Sequence, residues 1–192
     1  MTDPADPRAR LLDATMAYAA AHGLADLSLR QLAQAIGASH RMLIYHFGSK
    51  EGLLTEVVRE VERRQRVLAA AIDDDAGLSP GDQVRAAWKR FADPAMWPQE
   101  RLFFDVYAQA LQGHPHAAPL LADVVEAWVA PIAARAIRHG TPAATAAAEA
   151  RLMVAVTRGL LLDLLAGGDP AAVDAAMALH VAAYERRLAD AR

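Results

Sequence analysis

The stretch LSLRQLAQAIGASHRMLIYHF, residues 27–47, contains two helix-start signals on either side of a glycine. Ser28 and Gln31 have the spacing of a capping box, in which each side chain satisfies a backbone N–H at the start of a helix. Gly37 stands where a tight turn needs a positive φ, and Ser39 is placed to cap a second short helix. The stretch therefore predicts two short helices joined by a tight turn.

The second of these helices is expected to have one inward and one outward face. Leu43 and Phe47 fall on one side, whereas His40, Arg41 and Ile44 fall on the other. Helix, turn and helix is the helix-turn-helix unit, whose second helix enters the DNA major groove. In that setting Arg41 suits a guanine or a phosphate, His40 a base edge or a phosphate, and Ile44 a thymine methyl.

Residues around this helix extend the predicted DNA-binding set. Tyr45, His46 and Lys50 suit phosphate contacts near the positive end of the next helix, while Arg30 and Gln31 open the preceding helix and face the backbone or a groove edge. An alternative stays open for Tyr45, whose ring would instead fill the gap between the third and fourth helices. The full set is Arg30, Gln31, Ser39, His40, Arg41, Ile44, Tyr45, His46 and Lys50.

Composition excludes several classes of protein. The chain has 192 residues, of which 54% are hydrophobic and 22% charged, and it has no cysteine. A disordered chain, a disulfide scaffold, a thiol nucleophile and a thiolate zinc site are therefore excluded. The start of the chain is polar and no run of about 18 apolar residues occurs, so we expect a cytoplasmic protein without a membrane partner.

Charge alone does not argue for nucleic acid. Residues 1–66 carry nine basic and eight acidic residues, whereas residues 67–192 carry eleven basic and fifteen acidic residues, which together give the net charge of −3. This balance is far from the strongly basic surface that charge arguments need. The DNA-binding prediction therefore depends on the motif.

The rest of the chain predicts helices throughout. Alanine is frequent, β-branched runs are absent, and most prolines fall where helices are expected to begin, with Pro131 as the exception. We expect an all-α protein with a domain boundary near residue 48, giving domains 1–48 and 49–192, because short helices give way there to long ones. About nine helices are predicted, at 8–22, 28–36, 40–46, 49–73, 80–93, 99–112, 117–138, 142–166 and 170–190.

Residues 25–54, ADLSLRQLAQAIGASHRMLIYHFGSKEGLL, together with the preceding RLLDATMAYAAAHG, resemble the N-terminal domain of the tetracycline-repressor (TetR) family of transcriptional regulators. The resemblance covers about the first quarter of the chain. It implies a three-helix DNA-binding domain followed by a larger helical domain that binds an inducer and dimerises. Arg41 and Ile44 stand where the family commonly has Gly and Tyr, so an operator sequence does not transfer from relatives.

Apolar residues beyond residue 80 recur at intervals of three and four, which is typical of a bundle core. For each residue singly, core packing is the expected role; for the aromatic residues as a set, we expect a pocket for an apolar or aromatic ligand. Arg158 lies in an apolar run and is expected either to meet a partner across an interface or to anchor an acidic ligand. The predicted ligand set is Trp88, Phe91, Met96, Phe103, Phe104, Tyr107, Trp128, Met153 and Arg158.

The last two helices predict a homodimer. Apolar residues of the last helix recur at intervals of four and three, and small residues on the preceding helix suit close packing. A four-helix bundle between two copies also supplies the symmetry that a palindromic operator requires. The predicted interface comprises Ala155, Gly159, Val173, Met177, Val181 and Tyr184.

No residue pattern predicts catalysis, a metal site or a cofactor. His114 and His116 are too few for a metal and are expected to be loop residues, and phosphate-loop, metalloprotease and nucleophile-elbow motifs are absent. We therefore expect a ligand-responsive transcriptional regulator, most often a repressor. It is expected to bind double-stranded DNA and to be released from it by a small-molecule effector. The alternative is a DNA-binding regulator without a small-molecule ligand, whose C-terminal domain dimerises or binds a protein.

Overall fold

The computed structural model describes residues 6–22, 27–73, 77–138 and 140–190. Over these ranges the chain is all-α, as predicted, with nine α-helices, two short 3-10 helices and no strand. Residues 1–5 and 191–192, which form the outer ends of the two predicted domains, lie outside the described residues. The helices are α1 Pro7–His22, α2 Leu29–Ala35, α3 His40–Phe47, α4 Lys50–Asp73, α5 Pro80–Phe91, α6 Trp97–Leu111, α7 Glu126–Arg138, α8 Ala143–Leu165 and α9 Pro170–Asp190, and the 3-10 helices are Pro94–Met96 and Ala118–Ala122.

The predicted caps of α2 and α3 are confirmed. Ser28 N–H donates to Gln31 Oε1 at 2.9 Å, and Gln31 N–H donates to Ser28 Oγ at 3.3 Å, which completes the capping box. Gly37 has φ +67°, and Ser39 Oγ accepts from Met42 N–H at 3.1 Å. Both ends of the turn are therefore fixed by local sequence.

The chain forms two compact units, of which the first contains residues up to Arg64 together with Ala95–Ala122. It holds α1, α2, α3, the first part of α4, α6 and the second 3-10 helix. Leu32 of α2, Leu43 of α3 and Leu53 of α4 are each at most 1% exposed. The helix-turn-helix thus rests on a core to which three consecutive helices contribute.

The second unit contains Gln65–Pro94 and Asp123–Arg192. Here α8 packs along both α7 and α9, and α9 also packs on α5. Polar bonds join α5 to α9, since Trp88 Nε1 donates to Asp174 Oδ1 at 2.7 Å. The α7–α8 core contains Val129, Ala133, Ala146, Ala150 and Val154. Because α4 contributes to both units, the predicted boundary after residue 48 stays a prediction.

The prediction of one helix over residues 117–138 is wrong. A 3-10 helix at Ala118–Ala122 is followed by a turn, and α7 begins only at Glu126. Leu120 N–H donates to the carbonyl of Ala117 at 2.8 Å, three residues back, and Pro119 has no N–H to donate. Leu120 and Val124 are both buried. Because they are four residues apart, the usual spacing of a buried helix face, the sequence pattern predicted a continuous helix here.

Gly52 provides a test of how α4 docks on α3. A Cβ built on Gly52 would lie 2.2 Å from the carbonyl oxygen of Phe47, which is backbone and cannot swing away. We expect Gly52→Ala to lower the free energy of unfolding by about 2 kcal/mol through overpacking. Urea denaturation followed by circular dichroism measures this loss.

The control is Glu51→Ala, which truncates an exposed side chain in the same turn of α4. We expect it to cost at most about 1 kcal/mol, from the lost favourable charge at a helix start. A Gly52→Ala protein as stable as the parent chain would contradict this account of the α3–α4 junction.

Glu60 of α4 makes stability depend on pH. Hydrogen bonds from Arg63 and Arg64, together with their charges, outweigh burial and lower the pKa of Glu60 from 4.5 to about 2. Because the folded pKa is the lower one, this stabilisation is present above about pH 4.5 and is lost as the pH falls towards 2.

We expect Glu60→Gln to cost about 1 kcal/mol at pH 7, since both arginines are largely solvated, and to cost nothing near pH 2. Urea denaturation of both proteins across this pH range measures the difference. Asp105→Asn, which changes an exposed carboxylate on α6, is the control. A Glu60→Gln penalty that stays constant down to pH 2 would contradict the assignment.

Candidate nucleic-acid interface

The inward face of α3 anchors the helix. Leu43 is fully buried and Phe47 is 9% exposed. The guanidinium carbon of Arg8 in α1 lies 5.2 Å from the centroid of the Phe47 ring, within the range of a cation–π contact. With one face fixed in this way, the orientation of the opposite face is also determined.

The outward face of α3 carries the predicted DNA-binding residues. His40 and Arg41 are exposed, Ile44 is 41% exposed and Tyr45 is 79% exposed. The alternative in which the Tyr45 ring fills the gap between α3 and α4 is wrong, because so exposed a ring fills no gap. Its neighbour His46 packs edge-on against it, with ring centroids 4.9 Å apart.

The remaining predicted DNA-binding residues are more constrained. His46 is half-buried, and its Nε2 is enclosed without a hydrogen-bond partner among the described residues. Arg30 is exposed, whereas Gln31 Oε1 already accepts bonds from the Ser28 N–H and hydroxyl at the start of α2. Ser39 caps α3, and Lys50 is half-buried at the start of α4.

A cleft that the sequence did not predict opens beside the end of α3. It has a volume of about 350 Å³ and is called here the Arg8–His116 cleft. Its residues come from α1, α3, α4 and the loop after α6, and no single motif brings four such segments together. It is lined by Arg8, His46, Phe47, Gly48, Ser49, Gly52, Thr55, Glu56, Arg59 and His116.

Charged side chains dominate one wall of this cleft. Glu56 accepts hydrogen bonds from Arg8 and, at 2.8 Å, from Arg59. Burial raises the pKa of Glu56, but these two bonds outweigh burial and leave the pKa below 4.5. On the far side, His116 Nε2 lies 2.9 Å from Gln109 Oε1.

The predicted ligand-binding residues divide between the two units. Met96, Phe103, Phe104 and Tyr107 belong to the first unit, where the rings of Phe103 and Tyr107 stack with centroids 5.5 Å apart. The other members, Trp88, Phe91, Trp128, Met153 and Arg158, belong to the second unit.

Within the second unit, several of these residues have clear packing partners. The rings of Phe91 and Trp128 meet edge to face at 5.7 Å, and Trp88 is buried and bonded to Asp174. Arg158 is half-buried, and its Nη2 donates to the carbonyl of Val124 at 2.8 Å. These contacts give each residue a structural role in a single chain.

The predicted dimer interface needs a correction. Val173, Met177 and Val181 are each at most 2% exposed and Tyr184 is 8% exposed within one chain. They belong to the core of the second unit because α9 packs on α5 and α8, so a second copy does not reach them. Ala155 and Gly159 are exposed on α8, as that prediction requires.

Two further observations concern metal binding and membrane insertion. Within the described ranges, no group of three or more His, Asp or Glu side chains is placed to hold a metal ion. None of the described helices has the length and apolar character needed to cross a membrane.

Fold and caps together define an all-α protein with an N-terminal helix-turn-helix domain. Residues 11–57 match the family profile described as bacterial regulatory proteins, tetR family. The HTH-type transcriptional regulator BetI of Stenotrophomonas maltophilia is 34% identical over 79 residues, which are 41% of this chain and 40% of that protein. The match thus spans less than half of this curated relative.

Solved structures extend the likeness over the whole fold. A transcriptional regulator from Rhodococcus sp. Rha1 has a TM-score of 0.73 at 22% identity, covering 92% of this chain and 95% of its own. The multidrug binding protein EbrR, solved with proflavin, has a TM-score of 0.64 at 26% identity, covering 91% and 97%. Residues 11–57 are thus similar to the DNA-binding domain of the tetR family of bacterial regulatory proteins, and the chain shares its fold with these solved regulators.

Proposed function

We propose that this chain is a transcriptional repressor that binds a palindromic operator in double-stranded DNA as a homodimer. A small apolar or aromatic ligand then favours the DNA-free state. The observation that carries the proposal is the two-sided α3, which is anchored by Leu43 and presents exposed polar and apolar side chains on the other side.

The exposed face of α3 has the chemistry of direct readout. Arg41 donates to guanine or to a phosphate, His40 contacts a base edge, and Ile44 packs on a thymine methyl. Tyr45 and Lys50 then hold phosphates beside the groove, helped by the positive end of α4. Because Phe47 and Leu43 are fixed in the core, these contacts require little rearrangement of α3.

The dimer is proposed on the exposed apolar side chains of α8 and α9. Leu152 is 46% exposed, Leu162 is 51% exposed, and Leu179 of α9 is 74% exposed. On α8, Leu152, Leu162 and the exposed small residues Ala155 and Gly159 recur at helical spacing, and small residues let helices approach closely. These residues replace the buried side chains of α9 in the predicted interface.

The ligand part of the proposal draws on the aromatic side chains and on one relative. Paired rings occur in both units, Phe103 with Tyr107 and Phe91 with Trp128. EbrR, which shares this fold, was solved with the planar aromatic compound proflavin. A coupling between ligand and DNA requires that the ligand prefer the DNA-free state.

The function is tested by fluorescence anisotropy with a labelled duplex from the promoter beside the gene for this chain, titrated with salt and unrelated competitor DNA. Binding that survives competitor supports the proposal, and binding lost equally to any DNA contradicts it. A compound library is then screened by thermal shift and by release of the duplex. Absence of any releasing compound favours a regulator without a small-molecule ligand.

Substitution of Arg41 tests the proposed DNA contact most directly. We expect Arg41→Ala to weaken operator binding about tenfold or more, as loss of a guanine or phosphate contact requires, with little change in stability. Anisotropy titrations at fixed salt measure the effect.

Arg90→Ala, an exposed arginine of the second unit, is the matched control and should bind the operator like the parent chain. Equal affinities of the Arg41→Ala protein and the parent chain would contradict the placement of α3 in the groove.

The proposed interface is tested with Leu162→Glu. Burying a carboxylate between two copies is costly, so we expect the dimer to dissociate and operator affinity to fall at least tenfold. Analytical ultracentrifugation and anisotropy measure the two effects. Leu111→Glu, at an exposed leucine of the first unit, is the control. A Leu162→Glu protein that stays dimeric would place the interface elsewhere.

A further inference from the structure

We infer that the Arg8–His116 cleft binds the phosphate or carboxylate group of a small organic molecule, at a site separate from the exposed face of α3. None of the residues expected to bind an apolar or aromatic effector lines this cleft. It would therefore be a second ligand site, within the unit that carries the helix-turn-helix.

The lining side chains favour an anion. Arg8 and Arg59 are permanent cations, and both hold the one lining carboxylate, Glu56. His46 also lines the cleft, whereas the Nε2 of His116 is already bonded to Gln109 Oε1 and is not free to bind an anion. With two arginines against one carboxylate, the lining carries a net positive charge.

One acidic residue near the cleft, Glu51, reduces the local positive charge without cancelling it. Glu51 does not line the cleft; its own backbone N–H and the Ser49 hydroxyl lower its pKa, with a smaller contribution from His116. Its carboxylate therefore already has hydrogen-bonding partners at the α3–α4 turn. The two arginines still outnumber the lining carboxylate.

His46 supplies an independent observation. Its Nε2 is buried and has no hydrogen-bond partner in the part of the chain that the structure describes, while the residue itself lines the cleft. Buried polar atoms almost always have a partner, so an unsatisfied one beside an open cleft marks a place for an incoming polar group. An oxyanion oxygen accepts a hydrogen bond from this nitrogen when it carries a proton.

The size of the cleft indicates an organic molecule. Its volume of about 350 Å³ falls in the range of small-molecule sites and exceeds what a lone inorganic anion fills. Phe47 and Thr55 offer apolar surface for the body of such a molecule, next to the cationic wall. A bound ligand would also join the loop after α6 to the start of α4.

The test uses the full chain without DNA, so that it does not depend on operator binding. Isothermal titration calorimetry and thermal shift compare glycerol 3-phosphate and malate with glycerol, which has the same kind of body and no charge. We expect binding of at least one of the two anions and no response to glycerol. Loss of a charge-assisted hydrogen bond should weaken that binding about tenfold in Arg59→Gln and in Arg8→Gln.

The matched control is Arg63→Gln, one turn further along α4, whose side chain bonds Glu60 and does not line the cleft. It should bind the anion like the parent chain. Circular dichroism establishes that each variant is folded, and Arg8→Gln, near the start of α1, serves if Arg59→Gln fails to fold.

Three outcomes would overturn the inference. One is no response to either anion, and another is equal anion affinity in the parent chain, Arg59→Gln and Arg8→Gln. The third is a loss of operator affinity in Arg59→Gln without any binding of the free anions, which would assign the cleft to a DNA phosphate. The proposed function survives all three, because its own test is operator binding through α3.

Discussion

The burial of Leu43 fixes the orientation of α3 within the first unit. This side chain is fully enclosed by a core to which Leu32 and Leu53 also contribute. Because α3 is only eight residues long, it has little stability of its own and takes its orientation from this contact. The orientation of the exposed α3 residues, which we propose contact DNA, is therefore set by buried residues on the opposite face.

Local hydrogen bonds and backbone conformation fix the ends of these short helices. The caps at Ser28 and Ser39 define where α2 and α3 begin, and Gly37 supplies the positive φ between them. At the other end, Gly52 lets α4 approach the carbonyl of Phe47 closely. The exposed face of α3 is thus positioned by caps and glycine turns at the two ends of the helix, and by the packing of apolar side chains at its centre.

Sequence reasoning succeeded where the cause was local. The capping box, the glycine turn and the two faces of α3 follow from residues within four positions of one another, and each was confirmed. It failed for α9, where apolar spacing predicts a buried face but does not say whether the partner is the same chain or a second copy. The Arg8–His116 cleft was missed for a related reason, because its residues come from four segments and meet only in the folded unit.

We propose that the exposed face of α3 reads the major groove in a two-fold arrangement. Methylation protection of guanine N7 on the operator measures major-groove contact directly. The account predicts two protected clusters about one helical turn, or roughly 10 base pairs, apart, related by the symmetry of the site. Tight binding that leaves every guanine N7 open to methylation, or protects a single cluster without symmetry, would contradict it.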